Sequence, residues 1–433
     1  VEGGEGNDLI TGTLNVGQTL QGGDGDDTVS GNDANDVIDG GDGNDILNGG
    51  AGSDTILGGD GNDDIDAGTG DDNVFGGNGH DTITGSSGAD TIDGGDGDDQ
   101  ITGDSAGFLG AGNDVIDGGE GNDLVQGLDG DDTLSGGRGD DTVDGGNGDD
   151  AARGSGGNDL IIGGNGNDRL RGQAGDDTLE GGSGNDSIDG DDGDDFVRAD
   201  DALSLVAGAD SVDGGAGDDT LLGGRGDDLL IGNRGNDSIL GESGNDHIRG
   251  NNGDDILIGG DGDDSVRGGD GKDLISGDEA SGPVAVSGND SLYGDNGDDI
   301  INAGDGNDLV FGGGGDDVLN GDSGDDTLKG QSGKDTVDGG TGDDELTWDT
   351  GSGNDVIKSS DGADAVVVRG TNGVDSVNVT SASSGSGIRV SVIGSNVTID
   401  ASVSRLVLDM RSGNDEVDIG DLTGANGMTV VVN

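Results

Sequence analysis

The chain has no cysteine, one proline and one tryptophan, and aromatic residues make up 1% of its 433 positions. Without thiols, disulfide staples and thiol chemistry are both closed to it. The absence fits secreted proteins that stabilise themselves with metal instead. Lysine and arginine number 17 and are scattered, against 95 aspartates and glutamates, for a net charge of −78. A phosphate-binding face needs clustered cations, so nucleic-acid binding is excluded as a main role. No apolar run approaches the length of a membrane-spanning helix. The two imidazoles, His80 and His247, occupy variable positions with no nucleophile constellation around them and read as solvated side chains. Hydrophobic residues are only 27% of the chain, which at this charge would ordinarily mean disorder.

What the chain has in excess is glycine, 105 residues of it, and the glycine is periodic. From Gly22 to Ile101 the sequence falls into nines: GGDGDDTVS, GNDANDVID, GGDGNDILN, GGAGSDTIL and onward. Each unit has the frame G-G-x-G-x-D-x-U-x, with U a large aliphatic residue. Aspartate stands at Asp27, Asp36, Asp45, Asp54, Asp63, Asp72, Asp81, Asp90 and Asp99, and the aliphatic residue follows two places later, from Val29 to Ile101. A disordered acidic tract does not hold these two in register, and a period of this kind marks a parallel β-roll.

Three more blocks repeat the frame. The second holds Asp114, Asp123, Asp132, Asp141, Asp150, Asp159, Asp168, Asp177, Asp186 and Asp195, with Ala152 as its one weak aliphatic position. The third holds Asp210, Asp219, Asp228, Asp237, Asp246, Asp255, Asp264 and Asp273, and the fourth Asp290, Asp299, Asp308, Asp317, Asp326, Asp335 and Asp344. Insertions near 11–16, 104–111, 200–207 and 278–287 separate or precede these blocks, and Gln18 replaces the aspartate of one degenerate turn. Val1 already occupies an aliphatic position nine before Ile10, so the chain opens mid-strand and is expected to continue a longer parent.

From Trp348 the grammar changes. GNDVI and GADAV survive at Gly353 and Gly362, but alternating runs such as Ile388-Arg389-Val390-Ser391-Val392 and Leu406-Val407-Leu408 take over. Period-two alternation of β-branched residues means strands. The sequence therefore divides into a roll over 1–346 and a β-rich cap over 347–433 that closes its open end, with strands longer than the three-residue x-U-x strands of the repeat.

The spacing has a physical reading. Glycines permit the positive φ a tight turn needs and let carbonyls face inward. The x-U-x half is a strand whose middle side chain points to the interior. Two units, eighteen residues, complete one coil, and coils stack through parallel-strand hydrogen bonds. A turn then lies against the turn two units on, so Asp27 shares a site with Asp45, Asp36 with Asp54, and so on. Facing carboxylates repel, and a hard divalent ion that takes six to eight oxygens is the natural remedy. Counted within blocks, the pairs make about 26 calcium sites; magnesium, with its strict octahedral geometry, suits these turns less.

The units resemble the hemolysin-type calcium-binding nonapeptide repeats of RTX proteins, over roughly Gly3 to Leu346. The resemblance implies an all-β, right-handed parallel β-roll, export by a type I secretion system as an unfolded chain, and folding outside the cell on some two to three dozen calcium ions. It carries the aspartate of each matching unit over as a ligand. Gln18 departs from the pattern and its turn is expected to bind nothing.

All four insertions fall at even unit intervals and so leave one flank of the roll. They are either folded-back decoration or a row of contacts for a neighbouring chain. Leu222, Leu240 and Ile258 line one outward sheet face, and Tyr293 and Phe311 the other, as ordinary surface or as a docking strip. Aspartate pairs such as Asp26-Asp27 recur along the whole chain, whereas an active site is a unique place. The glycine-rich stretches lack the Lys-Ser/Thr of a phosphate loop. A regular threonine ladder, as ice binding would need, is missing.

The expected protein is a non-catalytic, secreted, calcium-binding structural component of a bacterial cell surface, matrix or filament. Its partners are calcium ions and copies of itself, with no nucleic acid and no membrane span. The alternative is the repeat portion of a larger type I-secreted toxin or enzyme (protease, lipase, epimerase or cytolysin).

Overall fold

A computed structural model describes residues 1–13, 16–105, 112–200, 208–278 and 288–349. Beyond these it describes 352–359, 362–370, 376–381, 388–392, 395–399, 403, 405–410, 416–419 and 429–432. Two compact units emerge, Val1–Thr220 and Leu221–Asn433. Each is an all-β parallel solenoid, and every regular element among the described residues is a strand. No helix among these residues is long and apolar enough to cross a membrane.

The eighteen-residue coil is seen directly in the register. In the first unit Val37–Asp42 pairs in parallel with Thr55–Asp60, Ile38 opposite Ile56, and Thr55–Asp60 with Asn73–Asn78. The intervening strands Ile46–Ala51, Asp64–Thr69 and Thr82–Ser87 form the second sheet, with Leu47 opposite Ile65 and Ile65 opposite Ile83. Strands therefore pair with their second neighbours in sequence. The aliphatic positions make two interior columns; Leu20, Ile38, Ile56 and Val74 are fully buried in one, and Leu47, Ile65 and Ile83 are 1% exposed in the other. Ala152 keeps its place between Leu134 and Leu170.

Most repeat strands run six residues, not the three expected, because they include both glycines, as in Ile46–Ala51 with its sequence ILNGGA; Leu9–Thr11, Leu274–Ser276, Ile300–Asn302, Val318–Asn320 and Thr336–Asp338 keep the expected three. The first glycine continues the alternation and faces inward; Gly49 is buried two places after Leu47. The second glycine turns the chain. At Gly41 φ is +112°, and a Cβ there would stand 2.1 Å from the carbonyl oxygen of Gly23 in the preceding coil, so no other residue fits without a shift.

In the first unit the irregular segments after Leu9–Thr11, Gln100–Asp104 and Phe196–Asp200 all leave strands of the same sheet. In the second unit the insertion follows Leu274–Ser276. The tips on which a row of contacts was expected, at 14–15, 106–111, 201–207 and 279–287, lie outside the described residues.

The change of grammar at 347 does not interrupt the pairing within the second unit. Leu328 lies opposite Leu346, Leu346 opposite Val366, Val366 opposite Leu406 and Leu406 opposite Val430, all parallel. The C-terminal strands are four to six residues long, longer than three-residue repeat strands such as Val318–Asn320 but no longer than the six-residue ones. One antiparallel excursion is added: Ile388–Val392 pairs with both Ser376–Ser381 and Ser395–Ile399.

Candidate metal sites

Each turn brings its aspartate to the inside of the bend. All thirty-four aspartates singled out in the sequence are at most 3% exposed, a burial that ionised carboxylates tolerate only when paired or ligated. One oxygen of each described rung is accounted for. The backbone N–H of Asp27 donates to Oδ1 of Asp45 at 2.7 Å, that of Asp45 to Asp63 at 2.8 Å and that of Asp63 to Asp81 at 2.8 Å. The alternate turns do the same from Asp36 to Asp54 to Asp72. The pairs expected to share a site are thus in contact, through an amide on one side and a carboxylate on the other.

The second oxygen has no such partner. Oδ2 of Asp27, of the rungs at 45, 54, 63, 72, 81, 90 and 99, and of every rung from 114 to 195 is buried and takes no hydrogen bond. In the second unit the same holds at Asp246, Asp264 and Asp273 and from 290 to 335. Asp36 departs, because the backbone and side-chain nitrogens of Asn32 donate to its Oδ2 at 3.0 Å. Asp344 departs too, receiving the Ser359 hydroxyl at 3.2 Å. Each departure follows from a side chain standing where the regular unit has glycine.

The space beside Oδ2 is lined by oxygen. A Cβ added to Gly40 would lie 2.3 Å from Asp45 Oδ2 and 2.5 Å from the Gly58 carbonyl oxygen one coil on; at Gly22 the same two distances, to Asp27 and Gly40, are 2.3 and 2.4 Å. The first glycine therefore keeps open a cradle between a carboxylate and a carbonyl. Among the described residues no three acidic or histidine side chains converge closely enough to hold an ion alone. The donor set is one or two carboxylates with backbone carbonyls, the hard, flexible oxygen set that suits calcium.

Electrostatics points the same way. Burial, offset in part by the amide bond from the preceding coil and reinforced by neighbouring carboxylates, pushes Asp63, Asp114 and Asp168 up to about 7. Asp264 is pushed up to about 8 by the same causes, with Asp290 the strongest repelling group. With no counter-charge, the inner column resists ionisation at neutral pH.

The stacking also passes over the insertions. Asp90 donates to Asp114 and Asp99 to Asp123, Asp186 to Asp210, Asp264 to Asp290 and Asp273 to Asp299. Counting pairs only within blocks therefore misses rungs, because the residues on either side of each insertion keep the ladder. Further rungs were missed at the ends. Asp8 donates to Asp27, and Asp335 and Asp344 donate to Asp355 and Asp364, both nine-tenths buried or more. The surviving fragments at Gly353 and Gly362 carried that signal. Even the Gln18 turn joins, its N–H donating to Asp36 Oδ1 at 2.7 Å.

A second, outer ladder lies one residue earlier and runs the opposite way. The N–H of Asn44 donates back to Asp26 Oδ1, that of Asn62 back to Asn44 and that of His80 back to Asn62. His80 then serves as an acceptor itself, its Nδ1 taking the Asp98 N–H at 2.8 Å. Its place in the turn is that of an Asn or Asp.

A family profile described as the RTX calcium-binding nonapeptide repeat matches successive segments of the chain, beginning with 1–14, 17–47, 39–74 and 75–106 and ending with 284–319, 311–346 and 349–377. No curated protein matches the chain.

Proposed function

Because the chain belongs to the family of RTX calcium-binding nonapeptide repeats, we propose that it is a non-catalytic, calcium-dependent structural protein of the extracellular space, a component of a bacterial surface, matrix or filament. Proteins with these repeats are typically secreted by bacteria, which fits an extracellular place.

The observation that carries this reading is the column of buried Oδ2 oxygens beside inward glycines. Calcium, when bound, supplies the positive charge that lets these carboxylates stay ionised inside the turn. The chain supplies the rest: aspartates fixed by amides from the preceding coil, carbonyls from the following one, and a spacing that renews the arrangement every nine residues. A non-catalytic role is supported by repetition, since the same acidic turn recurs where a reaction would need one distinguished place. Assembly is supported by the outward apolar pairs. Leu240 lies opposite Ile258, and the Tyr293 and Phe311 rings stack at 5.3 Å with Arg267 over Tyr293. These four side chains are half-buried, and the apolar surface they leave in solvent is of the kind that marks association faces.

Circular dichroism and electron microscopy of the purified chain, with and without calcium at neutral pH, test both parts. Strand signal that appears only with calcium, with ordered fibrils or sheets in the same samples, is the expected result. Full strand signal in excess chelator would end the metal dependence. Monodisperse particles at high concentration in calcium would end the assembly reading.

A further inference from the structure

Three insertions interrupt the rhythm within the repeat, and each begins with an aspartate where a regular unit has its second glycine: Asp104 after Gly103, Asp200 after Ala199 and Asp278 after Gly277. Aspartate also occurs at this place in uninterrupted turns, as Asp191, Asp295 and Asp322. There the backbone is left-handed, with φ of 72°, 72° and 64°. Those side chains turn outward; Asp191 pairs with Arg171 and Asp295 with Arg267.

At the insertion roots the same residue behaves differently. None of the three has a left-handed φ. Released from the tight turn, the side chain enters the flank at two of them, Asp104 being 4% exposed and Asp200 6%, while Asp278 is half-buried. Both carboxylate oxygens of Asp104 are buried with no hydrogen-bond partner, and so is Oδ1 of Asp278. The N–H groups of Gly112 and Asp129 lie near Asp104 without reaching hydrogen-bond geometry. Oδ2 of Asp278 accepts the Asp305 N–H at 2.5 Å.

Two of the root aspartates also have the same relation to their columns. Asp104 lies close enough to repel Asp90, Asp114 and Asp132, three successive rungs. Asp278 repels Asp264, Asp290 and Asp308, again three successive rungs. At these coils the insertion interrupts the G-x-G backbone that elsewhere brings carbonyl oxygens to the flank. A carboxylate at the root restores an oxygen donor to that place. Beside it, a Cβ on Gly103 would lie 2.2 Å from Asp114 Oδ2 and 3.0 Å from the Gly127 carbonyl, the cradle of a regular turn.

We propose that Asp104 and Asp278 are cation ligands additional to those of the nonapeptide, each giving the calcium site of its coil one more carboxylate and making it fill before the regular sites of its unit. Asp200 occupies the equivalent place. The proposal rests on the calcium reading above. Affinity in oxygen-donor sites rises with the number of charged ligands, so the insertion coils become the points where ordering starts as calcium rises.

Hydrogen exchange of the full chain, followed by mass spectrometry at stepped free calcium, reads each coil separately. In the unaltered chain, amides of 112–134 and 288–310 become protected at lower calcium than those of 37–65. Asp104→Asn raises the calcium midpoint of 112–134 by about tenfold and leaves 37–65 unchanged. Asp278→Asn does the same for 288–310, and Asp191→Asn, at the outward-facing version of this place, moves neither. Midpoints that stay put in both root variants, while the regular coils keep their calcium dependence, would reduce the root aspartates to loop clasps and overturn this proposal alone. Protection of every coil without calcium would overturn the calcium reading itself. Should Asp104→Asn fail to fold in saturating calcium, Asp278→Asn decides.

Discussion

The inward place two residues after each aliphatic is filled in two ways within the second unit. In the repeat it is glycine or alanine, as at Gly294 after Leu292 and Ala303 after Ile301. Past the change of grammar, on one sheet, it is Trp348 after Leu346, Val368 after Val366 and Leu408 after Leu406, all at most 1% exposed, while on the other sheet Ser359 follows Ile357. The backbone pairing is the same parallel ladder in both. What differs is the filling: a small residue leaves room for the aspartate oxygen beside it, whereas a large apolar side chain closes that room with hydrocarbon. One coil geometry thus supports two kinds of interior, one with room beside each carboxylate that suits a hard cation and the other filled by side chains.

Removing calcium should separate the two kinds most sharply. In excess chelator at pH 7.5, repeat amides such as those of 37–101 are expected to exchange at the rate of an unfolded chain. The strands Ala365–Arg369 and Arg405–Asp409 should keep measurable protection. Equal loss in both regions would show that the hydrocarbon-filled coils have no stability of their own.

Acid should narrow the gap. Burial pushes Asp90 up to about 6 and Asp264 up to about 8 in the folded roll, above the ordinary carboxylate range. A raised folded value means that the folded state binds more protons. Its contribution to stability is therefore present below about pH 4 and is lost as pH rises through the folded values. The calcium-free chain should gain strand signal by circular dichroism as pH falls from 8 to 5, with the gain confined to the repeat. No gain would mean that the columns are already neutralised by something other than protons or metal.

Exchanging the fillings gives the smallest and most local effects. Gly40→Val places a branched side chain where Asp45 Oδ2 and the Gly58 carbonyl converge. It should cost about 3 kcal/mol in calcium by urea denaturation and weaken calcium binding as well. Val368→Ala leaves a cavity and should cost about 2 kcal/mol, with calcium affinity unchanged. Matching calcium titrations for the two variants would erase the distinction drawn between the regions.

Much of this was legible in the sequence because a strict period fixes a solenoid almost by itself. Aspartate at every ninth residue and an aliphatic two places later determine the two-unit coil, its two columns and the inward carboxylates, as at Asp45 and Leu47. Position along the chain is less informative about direction in space. Asp104 and Asp191 hold the same place in the frame, yet one is buried and the other ion-paired at the surface, because the sign of φ there depends on whether a turn or an insertion follows. The six-residue strands were missed for a related reason: two adjacent glycines look like turn, but the first of them stays extended when a neighbouring coil offers it a partner. The rungs at Asp355 and Asp364 were hidden by the surrounding change in composition.

The two ladders point in opposite directions, and this gives the roll a built-in polarity. Every inner amide waits for a carboxylate that arrives eighteen or more residues later, while every outer amide finds an acceptor already laid down. The C-terminal edge is thus left with open inner amides beside open outer acceptors, and the N-terminal edge with open inner carboxylates beside open outer amides. A new coil meets one donor and one acceptor at either end, but the acid destined for the interior waits only at the N-terminal end, while at the C-terminal end the waiting acid lies on the solvent side.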